Sequence, residues 1–247
     1  MQRERSGTGR KRATLGHIRY FIGMAAACVA CIVGCDSQVV DVLIPDNPLA
    51  RFRDDFNGQL EPGWTIDGEQ AIQHSLTDRP GFLRIFPQEI SIDSTVSEAG
   101  LLVRELEGDF VVVTRMQFET VLDLQLAGIV VQGPDLKRLV SFGLIQASGA
   151  RGTFRGLLLR ADRGPDVASG RATVPYDSNE VYLRLERSGN TYTASYSRDG
   201  ITFETVGSVT NDLPGSVLVG LGAIKGDSCG QDCDRLLPAD FDFFEVL

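Results

Sequence analysis

The side chains of this 247-residue chain with spacing suited to chemistry are few. Glu105 and Glu107 stand two residues apart, so on a β-strand they would share one face. Glycoside cleavage needs two carboxyl groups about 5 Å apart for retention, or about 6.5–9.5 Å apart for inversion. Within one strand only an even spacing can supply that pair. Gly108-Asp109 follows immediately and reads as a turn entering the next strand, so these glutamates are expected at a solvated strand end. His74 is the sole histidine after residue 34 and would have to serve any Ser-His-Asp triad. Its setting, Gln-His-Ser-Leu on an early strand, reads as a surface or half-buried position. No Gly-x-Ser-x-Gly elbow, phosphate-binding glycine loop or HExxH is present. The polar residues that remain lie on apolar-rich strands: Arg115, Gln117, Gln132, Gln146, Tyr182 and Arg184. As a group they are the best candidates for a ligand-binding face.

The N-terminus sets the compartment. Residues 1–19 carry Arg3, Arg5, Arg10, Lys11, Arg12 and Arg19, and Tyr20 to Cys35 reads YFIGMAAACVACIVGC. A basic segment, a short apolar run and small residues before a cut make a secretory signal. The run is shorter than the ~20 apolar residues of a membrane span. Its ending, Ile32-Val33-Gly34-Cys35, looks like a bacterial lipobox. That resemblance implies cleavage before Cys35, lipidation of Cys35, and an exported protein held at the membrane of a bacterium, on its periplasmic or cell-surface side. Residues 1–34 hold six of the 24 basic residues and one of the 33 acidic ones, leaving 18 and 32, or about −14. Such a charge repels phosphate backbones, so nucleic acid is not an expected partner. Of the five cysteines, only Cys229 and Cys233 lie beyond Cys35. In an exported chain this pair is expected to form a disulfide closing SCGQDC, because two cysteines and one histidine do not complete a zinc site.

Residues 35–50 contain Pro45 and Pro48 and read as a tether. From Arg51 onward, short runs of Val, Ile, Phe, Thr and Tyr are broken by Gly, Pro, Asn and Asp. Strands are expected near 51–56, 72–76, 81–86, 100–104, 109–119, 125–132, 138–146, 153–161, 181–188, 191–197, 202–209, 216–224 and 240–247. No segment sustains a 3.6-residue period, so no long helix is expected. Ser188-Gly189-Asn190 reads as a tight hairpin, and Arg198-Asp199-Gly200 as another. Many short strands without alternating helices argue for one all-β, two-sheet sandwich over residues 51–247. Alternation places Phe110, Val112, Thr114, Met116 and Phe118 on one face, with Arg115 and Gln117 on the other. It likewise opposes Val181, Leu183 and Leu185 to Tyr182, Arg184 and Glu186.

An ordered series of segments resembles the concanavalin A-like lectin/glucanase sandwiches. These are Phe52-Arg-Asp-Asp-Phe-Asn-Gly58, Pro62-Gly-Trp64, Ser75 to Ile85, Gly108-Asp-Phe110, Ala127 to Val131, Val181 to Arg187, Tyr192 to Gly200 and Phe241 to Val246. The chain is most similar to the accessory C-terminal domain of family-43 glycoside hydrolases (β-xylosidases). The resemblance implies an antiparallel jelly-roll with its two chain ends paired, without the catalytic domain. Related glucanases carry Glu-x-Asp-x-x-Glu, and Glu105-Leu-Glu107-Gly-Asp109 departs from that spacing. Many members hold a structural Ca²⁺ where first and last strands meet. Carried over by position, its ligands would be the Asp242 carboxylate and the backbone carbonyls of Asp55 and Gly81. The resemblance also implies carbohydrate binding, with Tyr182, Tyr192 and Tyr196 as the aromatic supply and Trp64 expected in the core. The leading expectation is thus a non-catalytic polysaccharide-binding module at the cell envelope, beside separate hydrolases. The alternatives are a protein-interaction or structural envelope module, bound to other envelope proteins, and a glycoside hydrolase.

Overall fold

A computed structural model describes residues 52–68, 72–90, 100–133, 138–149, 152–162, 170–226, 232 and 235–247. Cys35, Cys229 and Cys233 lie outside the described residues. Two eight-stranded sheets face each other. The first contains β14 (Glu204–Thr210), β13 (Thr191–Ser197), β12 (Glu180–Ser188), β7 (Phe110–Gln117), β16 (Ala239–Val246), β4 (Leu83–Ile85) and β3 (His74–Ser75) in that order, with β1 (Phe52–Asp54) also on β16. The second runs β11 (Gly170–Pro175), β10 (Gly152–Asp162), β9 (Leu139–Gly149), β8 (Gln125–Gln132), β15 (Ser216–Gly226), β6 (Leu101–Glu107) and β2 (Thr65–Asp67). Here β5 (Gln88–Ile90) pairs in parallel with the end of β15. No α-helix occurs among the described residues.

The alternation expected for the central strands holds. On β7, Phe110, Val112, Thr114 and Met116 are buried; on β12, Val181, Leu183 and Leu185 are buried. They meet Ala127, Ile129, Val131, Phe142 and Leu157 from the opposing sheet in one core, as inward faces of a sandwich must. Trp64 packs beside that core as expected. It lies edge-on to Phe52 and Phe244 and donates its Nε1–H to Asp54 at 2.8 Å. Buried Asp54 also accepts from the Phe56 and Glu61 amides, which fixes the turn after β1.

Three features differ from the pattern, while the first of the two expected hairpins agrees with it. β2, β5 and β11 were not expected, because segments of three to six residues at sheet margins show too little alternation to stand out. The 188–191 turn is a two-residue hairpin, with Gly189 at φ 56°. The next connection, by contrast, spans 198–203. There the Asp199 carboxylate accepts from Ile201 N, Thr202 N and Ser197 Oγ, and this side-chain wrapping holds a wider loop than Asp-Gly alone suggests. Finally, strict alternation fails on β16. A bulge between Phe241 and Phe243 inserts Asp242 as the extra residue, and the Thr114 hydroxyl donates to the Phe243 carbonyl at 2.5 Å. Phe241 and Phe244 are buried, while Phe243 turns partly outward.

Candidate functional site

Three adjacent strands, β12, β7 and β16, build a polar and aromatic strip on the outer face of the first sheet. Register sets Tyr182, Arg115 and Phe243 side by side across them. The Arg115 guanidinium is the hub. Its Nη1 donates to Asp242 Oδ2 at 2.7 Å, and its Nε and Nη2 donate to Glu180 Oε1 at 3.0 and 2.8 Å. Gln117 Nε2 donates to the other Glu180 oxygen at 3.1 Å. The bonds to Asp242 and Glu180 hold the Arg115 pKa above its ordinary value. The Tyr182 and Phe243 rings lie 6.5 Å apart at 48°, and the Arg53 guanidinium covers Phe243 at 4.1 Å. Tyr182 rests against Gly200, where a Cβ would come within 2.8 Å of the ring. The 198–203 loop thus borders the strip. Arg184 lies further along β12, paired with Glu186 at 3.1 Å.

Arg115, Gln117, Tyr182 and Arg184 therefore come together as expected of a common face. Gln132 and Gln146 do not join them, because β8 and β9 belong to the other sheet. Gln132 is buried, between Leu218 and Leu139 in register. Gln146 accepts from Thr120 and donates to the Leu122 carbonyl, bracing a loop. Tyr192 and Tyr196 share a face, but it is the inner one. Tyr192 is fully buried and Tyr196 packs on the core. The strip's other members, Glu180 and Phe243, escaped the sequence. Glu180 opens the same alternating series as Tyr182 and Arg184, and that period was the available signal. Phe243 had none, because only the bulge turns it out.

Glu105 and Glu107 are both exposed near the end of β6, with Glu105 bonded to Ser216 Oγ, in keeping with a solvated strand end. His74 is half-buried opposite Ile85.

The second sheet carries a small apolar groove on its outer face. Gly222, Gly128 and Gly143 stand in register across β15, β8 and β9, and Leu101, Leu126, Val130 and Ile224 form walls. Ser141 is the one polar side chain of its lining. That is a poor match for a sugar, whose hydroxyls need several directional partners.

The topology does bring Asp55, Gly81 and Asp242 to one place. β4 pairs with β16 through Phe241 and β1 pairs from Phe244 onward, leaving a gap beside Asp242 and Phe243. The side chains there do not suit calcium. Asp242, the one expected side-chain ligand, is held by Arg115, while Arg53 stands 2.7 Å from the Asp55 carboxylate and Arg79 and Arg84 hold neighbouring Asp240. Calcium takes six to eight oxygens at about 2.3–2.6 Å, and four guanidinium groups stand around this gap instead. No cluster of three or more His, Cys, Asp or Glu side chains able to hold a metal occurs among the described residues.

Comparison with known proteins agrees with this architecture. Residues 53–247 match the model of the beta-xylosidase C-terminal concanavalin A-like domain. A curated protein of Escherichia coli (strain K12), named "Putative beta-xylosidase", is 29% identical over 217 residues, covering 81% of this chain and 40% of that protein. The chain thus spans about two fifths of that relative. Among solved structures, the GH43 protein BlXynB from Bacillus licheniformis superposes with a TM-score of 0.64 at 19% identity, over 79% of this chain and 39% of that one. A functionally unknown protein from Saccharomyces cerevisiae superposes at 0.54 with 16% identity, over 74% of this chain and 94% of that one. The same fold therefore also makes up nearly the whole of another chain. With the match running from β1 through β16, this chain belongs to the family of beta-xylosidase C-terminal concanavalin A-like domains.

Proposed function

We propose that this protein is a non-catalytic glycan-binding module, tethered to the bacterial envelope through lipidated Cys35. The observation that carries the reading is the Tyr182–Arg115–Phe243 row with its Glu180, Gln117 and Asp242 partners. It sets aromatic surface beside fixed hydrogen-bonding groups, the combination that recognises sugar hydroxyls and the apolar faces of a sugar ring. Family membership supports polysaccharide as the ligand class, since the relatives carry this domain in β-xylosidases. The domain then holds substrate near separate hydrolases.

Binding of the protein to arrayed xylo- and gluco-oligosaccharides tests this, followed by calorimetry on the best ligand. Tyr182→Ala and Arg115→Ala are expected to weaken binding about tenfold each, the effect of losing roughly 1.4 kcal/mol. Gln146→Ala, on the other sheet, is expected to bind normally. A blank array with folded protein would refute the reading and favour the protein-interaction module. Release of reducing sugar, abolished by Glu105→Gln, would establish a hydrolase instead.

A further inference from the structure

The junction of the chain ends is tied by arginines. Asp240 is 6% exposed. Its Oδ1 accepts from Arg84 Nε at 2.7 Å, and its Oδ2 accepts from Arg84 Nη2 at 2.9 Å and Arg79 Nη1 at 2.7 Å. Arg79 is itself stacked at 3.7 Å over Phe82. Next along β16, bulged Asp242 is bound by Arg115, which reaches on to Glu180. On the far side of the gap, Arg53 bridges Asp55 and Glu245 at 2.8 and 3.1 Å. Four guanidiniums thus meet five carboxylates along the seam where β1, β4, β7 and β16 converge. Each tie crosses a strand boundary or closes a strand end.

We propose that Arg53, Arg79, Arg84 and Arg115 take over, in this chain, the role that a structural calcium ion would have at this seam, so that the fold is calcium-independent. The planar guanidinium fork matches a carboxylate with two parallel bonds and keeps its charge at every accessible pH. Arg115 already occupies Asp242 Oδ2, so a divalent cation entering the gap would have to compete for that carboxylate beside guanidiniums that already neutralise most of the seam's negative charge. The Asp240 bonds also raise the Arg84 pKa, in line with a pair held together in the folded state.

Thermal unfolding and calorimetry of the full chain, stripped with EDTA and then supplied with millimolar CaCl₂, test this. No calcium isotherm and the same Tm in both buffers are expected. Asp240→Asn should lower Tm by about 10 °C equally in calcium and in EDTA, as loss of a buried paired charge does. Arg84→Lys should recover only part of the wild-type Tm, because an ammonium lacks the fork. If Asp240→Asn does not fold, Asp242→Asn decides the matter, since it removes the carboxylate a metal would need. An equal shift in both buffers supports the proposal. A one-to-one calcium isotherm, a Tm that rises with calcium, or an Asp242→Asn loss seen only in calcium overturns it.

Discussion

Arg115 shows how much one side chain can organise. It spans three strands through Glu180 and Asp242, yet its side chain is 26% exposed and its partners 41% and 32%. Water screens such pairs, so their worth to stability is ~1 kcal/mol or less each. Their value lies in holding Tyr182, Gln117 and Phe243 in a fixed arrangement. Arg187 is the contrasting case. It points inward, is 4% exposed, and spends its donors on the carbonyls of Gly189, Leu213, Pro214 and Gly215. A charge in that position is tolerated because its donors are matched. Asp199 sits at the border of the strip, and its carboxyl is lowered to about 2, first by the Thr202 amide and then by the Ile201 amide and Ser197. A depressed acid stabilises the fold above its unfolded value and loses that contribution as pH falls through the folded one. The 198–203 loop is therefore expected to keep its form down to about pH 3 and to loosen near pH 2. A carboxyl-carbon NMR titration checks this. An Asp199 midpoint near the ordinary aspartate value would contradict it.

At the scale of elements, close approach of backbones decides what each strand tolerates. Gly128 and Gly143 face each other across β8 and β9. A Cβ on Gly143 would lie 1.9 Å from the Ala127 carbonyl oxygen, and one on Gly128 would lie 2.2 Å from that of Phe142. No rotamer relieves a clash with backbone. Gly143→Ala is expected to cost ~3 kcal/mol or more, at the severe end of single substitutions. Urea unfolding should show the midpoint fall with an unchanged slope. Gly149→Ala, which meets nothing within 4 Å, serves as the control. The bulge in β16 works at the same scale. One extra residue reverses the facing of everything after it, and so delivers Phe243 to the strip and returns Phe244 to the core.

For the whole molecule, the two sheets divide the labour. The first presents the polar strip, and the second covers the shared core from the other side and carries an apolar groove outside. The acidic balance of about −14 after residue 34 keeps the domain away from anionic lipid headgroups, so attachment to a membrane would rest on acyl chains at Cys35, of which two or more suffice. Intact mass of the protein isolated from membranes tests the ends of the chain together. A start at Cys35 with added acyl mass is expected, along with two hydrogens fewer than the dithiol form for a Cys229–Cys233 disulfide. An unmodified residue-1 start would refute the anchor, and two free thiols would refute the disulfide.

By itself the sequence determined the all-β class, most of the strands, the inward sets on β7 and β12, the Gly189 hairpin and the family resemblance. All of these rest on local spacing: period-two alternation and turn residues act within a few positions. It also determined that Arg115, Gln117, Tyr182 and Arg184 face away from the core, because burial of their alternating neighbours forces them out. Only the tertiary structure decided which strands became neighbours. It separated Gln132 and Gln146 from the strip, turned Tyr192 and Tyr196 inward, and brought Asp242 to Arg115. Those outcomes depend on which strands pair, at separations reaching that of Arg115 and Phe243, and on one bulge, and neither leaves a periodic trace in the chain.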